Sequence, residues 1–184
     1  MRKVIASLFV SMDGVAESPD QWQFDAFDED MGTEMMEQLS QVDTLLLGRV
    51  TYEEWKDYWP NAQQDLDFAA FINNTPKYVV SDTLDSVEWG DYDTVHLIKG
   101  DPTAEIKRLK AQPGKNISIS GSPGLVRSLI QLGLVDEFIP LIHPVVAGKG
   151  KRLFGDGDDL KRFKLVRSKI TSSGVAILTY VPHE

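Results

Sequence analysis

Two short stretches bring together residue types that bind anions. "LLLGRVT", Leu45 to Thr51, runs an apolar segment into a glycine, an arginine and a threonine. "ISGSPG", Ile119 to Gly124, runs an apolar segment into two glycines that bracket Ser122 and Pro123. A glycine after a strand lets a phosphate approach the backbone, and the helix that follows offers free N–H groups and a partial positive charge. Arg49 adds a planar fork of donors suited to phosphate, and Thr51 and Ser122 add hydroxyls. Two such junctions in one sheet suit a ligand with separated phosphate groups, such as a dinucleotide. Each junction also has a plainer reading. Strand-to-helix turns use glycine for geometry alone, and Thr51 as N-cap with Glu54 three residues on would form a capping box. Neither stretch is a GxGxxG fingerprint or a Walker loop.

Other chemistry-bearing residues are more scattered. Trp22, Phe24, Trp55 and Trp59 could wall a flat heteroaromatic ligand, or pack as core. His96, His143 and His183 have no metal-ligand spacing, and no metal site is expected. The basic run Lys149 to Phe154 could meet a substrate phosphate or be a solvated loop. "GDGDD", Gly155 to Asp159, lacks the spacing and closing glutamate of an EF-hand and reads as a turn.

The elements that must position these residues alternate. Val4 to Val10 reads as a buried strand. Residues 17–25 read as a loop. Apolar residues at Phe24, Phe27, Met31, Met35, Leu39 and Val42 fall three or four apart, which predicts an amphipathic helix starting at Phe24. Strands are predicted at Thr44 to Leu47, Lys77 to Ser81, Thr94 to Ile98 and Asn116 to Ser120. Helices are predicted in "TYEEWKDYW", "LDFAAFINN", "TAEIKRLKAQPG" and "GSPGLVRSLIQLGL". "VDEFIPLIHPVV" predicts a strand broken or bent by its prolines. The alternating segments around "SSG" predict a terminal hairpin. The pattern is α/β, with a mainly parallel sheet and antiparallel strands at the end.

The bulk numbers narrow the function classes. A chain of 184 residues is read as one domain, 1–184, with one core. A net charge of -9 argues against a general nucleic-acid binder. The absence of cysteine excludes disulfides, thiolate metal sites and a cysteine nucleophile. No apolar run approaches the ~18 residues of a membrane span, and a cytoplasmic location is expected.

The ordered motifs resemble a known family. "LLLGRVTYE" is similar to the GR-x-T-[YW]-E segment of the dihydrofolate reductase fold. "IASLFVSMDGVAE", a helix, "GRVTYE", "YVVS", "ISGSPGLVRSLI" and a proline-bearing strand follow in the family's order. "PVVAGKGKRLF", Pro144 to Phe154, fits the P-x-x-x-G-x-G-x-x-L-F pattern of the branch related to the reductase domain of bacterial riboflavin biosynthesis, RibD C-terminal-like. The resemblance covers essentially the whole chain. It implies a three-layer dihydrofolate reductase-like fold: a central mixed, mainly parallel sheet flanked by helices, with a C-terminal antiparallel hairpin. It implies NADPH across the carboxyl edge of the sheet. Gly48, Arg49 and Thr51 would hold the phosphate side, with Arg49 on the adenosine 2'-phosphate. Ser81 would flank the adenosine. Gly121, Ser122, Pro123, Gly124, Leu125 and Val126 would cradle the pyrophosphate. Such reductases often carry a second glycine where this chain has Ser122. Ser7 and the loop Val10 to Val15 would approach the nicotinamide.

In dihydrofolate reductases a carboxylate on the first helix grips the pterin. At about 100° per residue, Asp28 falls within the stripe of Phe24, Met31 and Met35 and is the first candidate; Asp30 is the second. Both could instead be solvated charges favouring the helix dipole. The implied function is an NADPH-dependent reductase of a pteridine- or pyrimidine-like heterocycle, of the 5-amino-6-(5-phosphoribosylamino)uracil reductase type. Alternatives are dihydrofolate reductase activity and a non-catalytic nucleotide-binding protein. The expected partners are a small heterocyclic substrate and a second copy in a homodimer, formed through the hairpin and the proline-bearing strand.

Overall fold

Runs such as "VIASLFV" and "LLL" are apolar on both alternating faces, as strands of a parallel sheet covered on both sides must be. The computed structural model describes residues 1–183 and places these runs at the centre of one sheet. The chain runs β1 (Val4–Ser11), α1 (Glu29–Ser40), β2 (Val42–Gly48), α2 (Arg49–Trp55), α3 (Leu66–Asn74), β3 (Lys77–Val80), β4 (Val95–Ile98) and α4 (Thr103–Ala111). It continues through β5 (Asn116–Ile119), α5 (Pro123–Gln131), β6 (Glu137–His143), β7 (Phe163–Ile170) and β8 (Ala176–Pro182). The sheet order is β4-β3-β2-β5-β1-β6-β8-β7. Neighbours are parallel from β4 to β6, and β8 pairs antiparallel with both β6 and β7.

Alternation along the strands builds three layers. Val4, Ala6, Val10 and Leu46 pack with Ile106 and Leu109 of α4 and Val126 and Leu129 of α5. On the other face, Leu45 and Leu47 pack with Tyr52, Ile72 and Trp89 under α2 and α3. Ile139, Leu141 and Ile177 pack with Met31 of α1. A side chain such as Leu46, fully buried, contributes about 1.5–3 kcal/mol relative to exposure.

Three sequence expectations are corrected. The first helix starts at Glu29, not Phe24: Asp28 is its N-cap, in extended conformation, with its carboxylate accepting from Met31 N. Phe24–Ala26 is a separate 3-10 turn, whose step of about three residues mimics helical spacing. β6 is not broken at Pro140. It stays in register with β1 from Ile5–Glu137 to Ser11–His143, and no β8 pair falls at Pro140. Because β6 lies between β1 and β8, it has no free edge to offer a second copy; β7 has. Gly48, not Thr51, is the N-cap of α2, so the capping box with Glu54 does not form.

Candidate functional site

The two glycine junctions are one structure. β2 and β5 are neighbours, with Leu46 beside Ile119, so Gly48 and Gly121 emerge side by side at the carboxyl edge. Gly48 N donates to Gly121 O at 2.8 Å. A Cβ on Gly48 would lie 2.9 Å from the backbone N of Ser122 and closer still to its hydroxyl. Gly121 has φ +125°, and a Cβ there would lie 2.6 Å from Thr51 Oγ1. The Gly121–Ser122 peptide is cis, with serine in the second position. Gly48 is therefore demanded by contact between the two junctions. The sequence had suggested separate phosphate approaches; the structure gives a single interlocked seat.

Donors surround that seat. Ser122 is the N-cap of α5 and Pro123 its first residue, while Val126 N donates to Ser122 O at 3.1 Å. The backbone N–H groups of Gly124 and Leu125 precede the first intrahelical bond, as in any helical first turn. Thr51 is buried in the first turn of α2, its hydroxyl at the bend. Arg49 is half-exposed, one guanidinium nitrogen 2.8 Å from Glu53. Ser81 is buried after β3, and its hydroxyl accepts from Thr83 N and Leu84 N at 3.2 and 3.3 Å, closing a turn.

On the α1 face beside the seat the sheet is incompletely covered, and we read this stretch as a candidate cleft. β1 is the fifth of eight strands, yet Ile5, Ser7 and Phe9 on that face are only partly buried. Ile5 and Phe9 pack against the α1 cluster, and Ser7 lies between them along β1. Ser118 of β5, paired with Ile5, adds a second hydroxyl to the floor. A gap in a core over polar floor residues, beside helix N-termini, can receive a flat polar molecule.

The cleft's surroundings are fastened by acids. Asp13 accepts from Ser11 Oγ at 2.6 Å and from Ala147 N and Gly148 N at 3.0 Å, clamping the loop after β1 to the loop after β6. The Ser11 hydroxyl above all, with these amides, holds its pKa down to about 2 against the opposing effect of desolvation. Arg152 Nε donates to Asp13 O at 2.8 Å, and Lys151 N to Glu17 at 3.0 Å. The basic run is thus partly loop framework. Glu54, from the capping box that does not form, is pushed up by burial and then by Asp20 and Glu17.

Asp28 and Asp30 meet the hairpin turn. Besides capping α1, Asp28 accepts from Ser173 N at 2.7 Å, and the Met31 and Ser173 donors hold it at about 2. Asp30 accepts from Ser172 N at 2.9 Å and Ser172 Oγ at 2.6 Å, which lowers its pKa. Glu34, buried, receives the guanidinium fork of Arg167 from β7. The carboxylates of α1 serve its junction with the hairpin. The face argument for Asp28 fails because the helix does not include Phe24.

Of the aromatics, Trp55 and Trp59 pack with Phe68 at centroid distances of 6.3 and 4.7 Å, in the α2–α3 core. Phe24 is 65 % exposed. Trp22 stands edge-on to His143 at 5.4 Å, and its Nε1 donates to Glu17 O at 3.2 Å. His143 and Asp13 make long-range contacts around β1 that sequence reasoning missed. Their contacts span more than a hundred residues, and no local pattern marks them.

A mixed, mainly parallel sheet flanked by helices, with antiparallel strands at its C-terminal end, is the dihydrofolate reductase-like fold. The chain belongs to the RibD C-terminal domain family, whose sequence model matches residues 2–177. It is 34% identical over 183 residues to the uncharacterized protein YyaP of Bacillus subtilis (strain 168), covering 97% of this chain and 94% of that one. The structure of a putative riboflavin biosynthesis protein from Shewanella sp. PV-4 superposes with a TM-score of 0.81 at 22% identity, covering 99% of both chains. Dihydrofolate reductase from Enterococcus faecalis, solved complexed with NADP(H) and RAB-propyl, superposes with a TM-score of 0.64 at 14% identity, covering 99% of this chain and 97% of that one. Among the described residues, no helix is long and apolar enough to cross a membrane.

Proposed function

We propose that the protein is an NADPH-dependent reductase of a pteridine- or pyrimidine-like heterocycle, of the 5-amino-6-(5-phosphoribosylamino)uracil reductase type. The observation that supports this reading is the Gly48–Gly121–Ser122 seat beside the incompletely covered Ile5–Ser7–Phe9 face of β1, which we read as the ligand cleft. The donors fit the cofactor: first-turn amides of α5 and the hydroxyls of Ser122 and Thr51 suit a pyrophosphate, and Arg49 suits an adenosine 2'-phosphate. When bound, NADPH supplies the hydride. The chain's own part is positional. Gly121 to Val126 hold the phosphates, and Ser81 bounds the adenosine side. Ser7 and the 10–15 loop, braced by Asp13, border the reacting end. Asp28 and Asp30 fix the head of α1 beside the cleft. The reading treats residues 1–184 as one domain, supported by the single sheet.

Dihydrofolate reduction receives less support, since the acids heading α1 are engaged by residues 172 and 173. The test is nucleotide binding followed by fluorescence, with Arg49→Ala in parallel, then NADPH oxidation with candidate heterocycles. NADPH is expected to bind at least about tenfold better than NADH, as a charge-assisted phosphate contact gives, and Arg49→Ala is expected to erase the preference. If neither nucleotide binds, the reductase reading fails. If NADPH binds without turnover of any heterocycle, the protein is a nucleotide binder.

A further inference from the structure

The glycine seat lies where the parallel strands end. The opposite edge, where they begin, holds a cavity of its own. β6 runs parallel to β1 and starts at that edge; β8 runs back along β6 and ends there, with Pro182 beside Phe163 at the start of β7. A cavity of about 340 Å³ opens between the end of α5, the chain entering β6, the chain entering β7 and the end of β8. That volume falls within the ~300–1,000 Å³ of small-molecule sites. Ile130 and Val135, both buried, form its apolar wall with Phe163 and Pro182. Leu160 also lines it and is 76 % exposed, an apolar side chain left in water at the mouth.

The charged lining is basic. Lys161 and Arg162 border the cavity and no acid does. Neither side chain has an ion-pair partner among the described residues. The acids of the adjoining segments are engaged elsewhere: Glu137 by Lys3 at 2.6 Å, Asp136 by Lys110 at 2.7 Å and Asp158 by Arg127 at 2.6 Å. The walls are fastened to one another. The Arg127–Asp158 pair and Gln131 Nε2, donating to Asp159 O at 3.4 Å, tie the 158–160 segment to α5. His183 N donates to Arg162 O at 2.9 Å, which carries the β7–β8 ladder one step past Phe163 and Pro182. Carbonyls at the end of α5 are capped, Ile130 O by Gly133 N at 3.1 Å and Leu129 O by Leu134 N at 2.9 Å. The helix therefore sets a weakened negative end against an anion.

We propose that this cavity binds an organic carboxylate with an apolar body, the carboxylate held by Lys161 and Arg162 and the body packed over Ile130, Val135 and Phe163. A guanidinium meets a carboxylate through two parallel N–H donors, and an ammonium adds a compact charge. The apolar lining alone would take a neutral molecule, and the cations alone would take any anion. Their juxtaposition selects a molecule that has both features. The site stands apart from the reductase reading, since it lies at the other edge of the sheet and shares no residue with the glycine seat.

The test is octanoate binding to the full chain, followed by the methyl resonances of Ile130, Val135 and Leu160 and by calorimetry. 1-Octanol supplies the apolar body without the charge, and inorganic phosphate the charge without the body. Octanoate is expected to shift these three methyl groups with one-to-one saturation. It is expected to bind at least about tenfold more tightly than either control. Lys161→Gln combined with Arg162→Gln, both exposed positions, should remove that advantage and leave 1-octanol binding as it was. Absence of a shift with octanoate overturns the proposal, and so does equal binding of octanoate and 1-octanol. Shifts scattered over methyl groups far from this edge would mean an adventitious additive only and overturn it as well. An undiminished octanoate affinity in the double variant does the same. Should that variant not fold, the comparison of octanoate with 1-octanol in the wild type decides alone. No step of the test uses NADPH, so its failure and the failure of the reductase reading are separate results.

Discussion

At the scale of single residues, Gly48 and Gly121 are each held to glycine by an atom of the facing junction, Ser122 N for the first and Thr51 Oγ1 for the second. A strand–glycine–helix pattern marks a tight junction, and both junctions are there. Which of them needs its glycine, and against what, depends on β2 and β5 being neighbours, which no local spacing encodes. Gly48→Ala places a methyl 2.9 Å from the Ser122 backbone nitrogen, which cannot rotate away as a hydroxyl can. The expected cost is about 1–3 kcal/mol, the range for overpacking a close contact. Urea unfolding measures it, and NADPH affinity should fall with it because the same contact shapes the seat. An unchanged midpoint would show that Ser122 yields freely. His143 and Asp13 were unreadable in advance for the same reason: a histidine before a proline and an aspartate before a glycine are common, and only the fold gives them partners 5.4 Å and 3.0 Å away.

At the scale of elements, most boundaries followed from periodicity and stop signals, and the misplacement at α1 is instructive. Phe24, Phe27 and Met31 keep a helical step through a 3-10 turn and a cap, so spacing cannot see the break; the run Asp28-Glu29-Asp30 is the better signal, an N-cap with acids in the first turn. The acids at this junction and at Asp13 give acid sensitivity with a definite sign. Asp13 and Asp28 sit at about 2 in the fold, against about 3.9 for an unfolded aspartate. A depressed carboxylate contributes its full stability above the unfolded value and loses it as pH falls toward the folded one. Urea midpoints are therefore expected to fall between about pH 4 and pH 2, with a shallower slope in Asp28→Asn and Asp13→Asn. Equal slopes in wild type and both variants would remove these residues from the acid response. Lys77 makes a separate element-scale case. It is fully buried at the start of β3, reaching back toward the end of α3 and donating to Ile72 O, Thr75 O and Thr94 Oγ1 at 2.6–2.8 Å, with Trp89 4.6 Å away. Burial lowers its pKa to about 8, so it is mainly cationic at neutral pH. Lys77→Met strands those acceptors, and thermal melts should show a loss on the order of 2 kcal/mol.

At the scale of the whole molecule, the sheet order decides what ligand binding can do. The seat joins β2 to β5 beside β1, so a nucleotide bound there would contact strands at the centre of the sheet. The edge is different. β7 carries Lys164, Arg167 and Lys169 and shifts register between Leu165 and Arg167, devices that discourage strand-to-strand joining. A homodimer would therefore have to use a face of the hairpin and not its free ladder. A ligand bound only to the folded state stabilises it by about 2.7 kcal/mol at a hundred times its Kd. For a chain of this size each kcal/mol moves the melting midpoint by about 2–4 °C, so saturating NADPH should raise the Tm by roughly 5–10 °C. At the same concentration Arg49→Ala should gain less, by an amount matching its measured loss of affinity. Because the seat spans the central strands, hydrogen exchange should slow in α2, β5 and the first turn of α5 together, while β7 is unchanged. Protection confined to one junction would mean that the two glycine turns, though interlocked, do not bind as a unit.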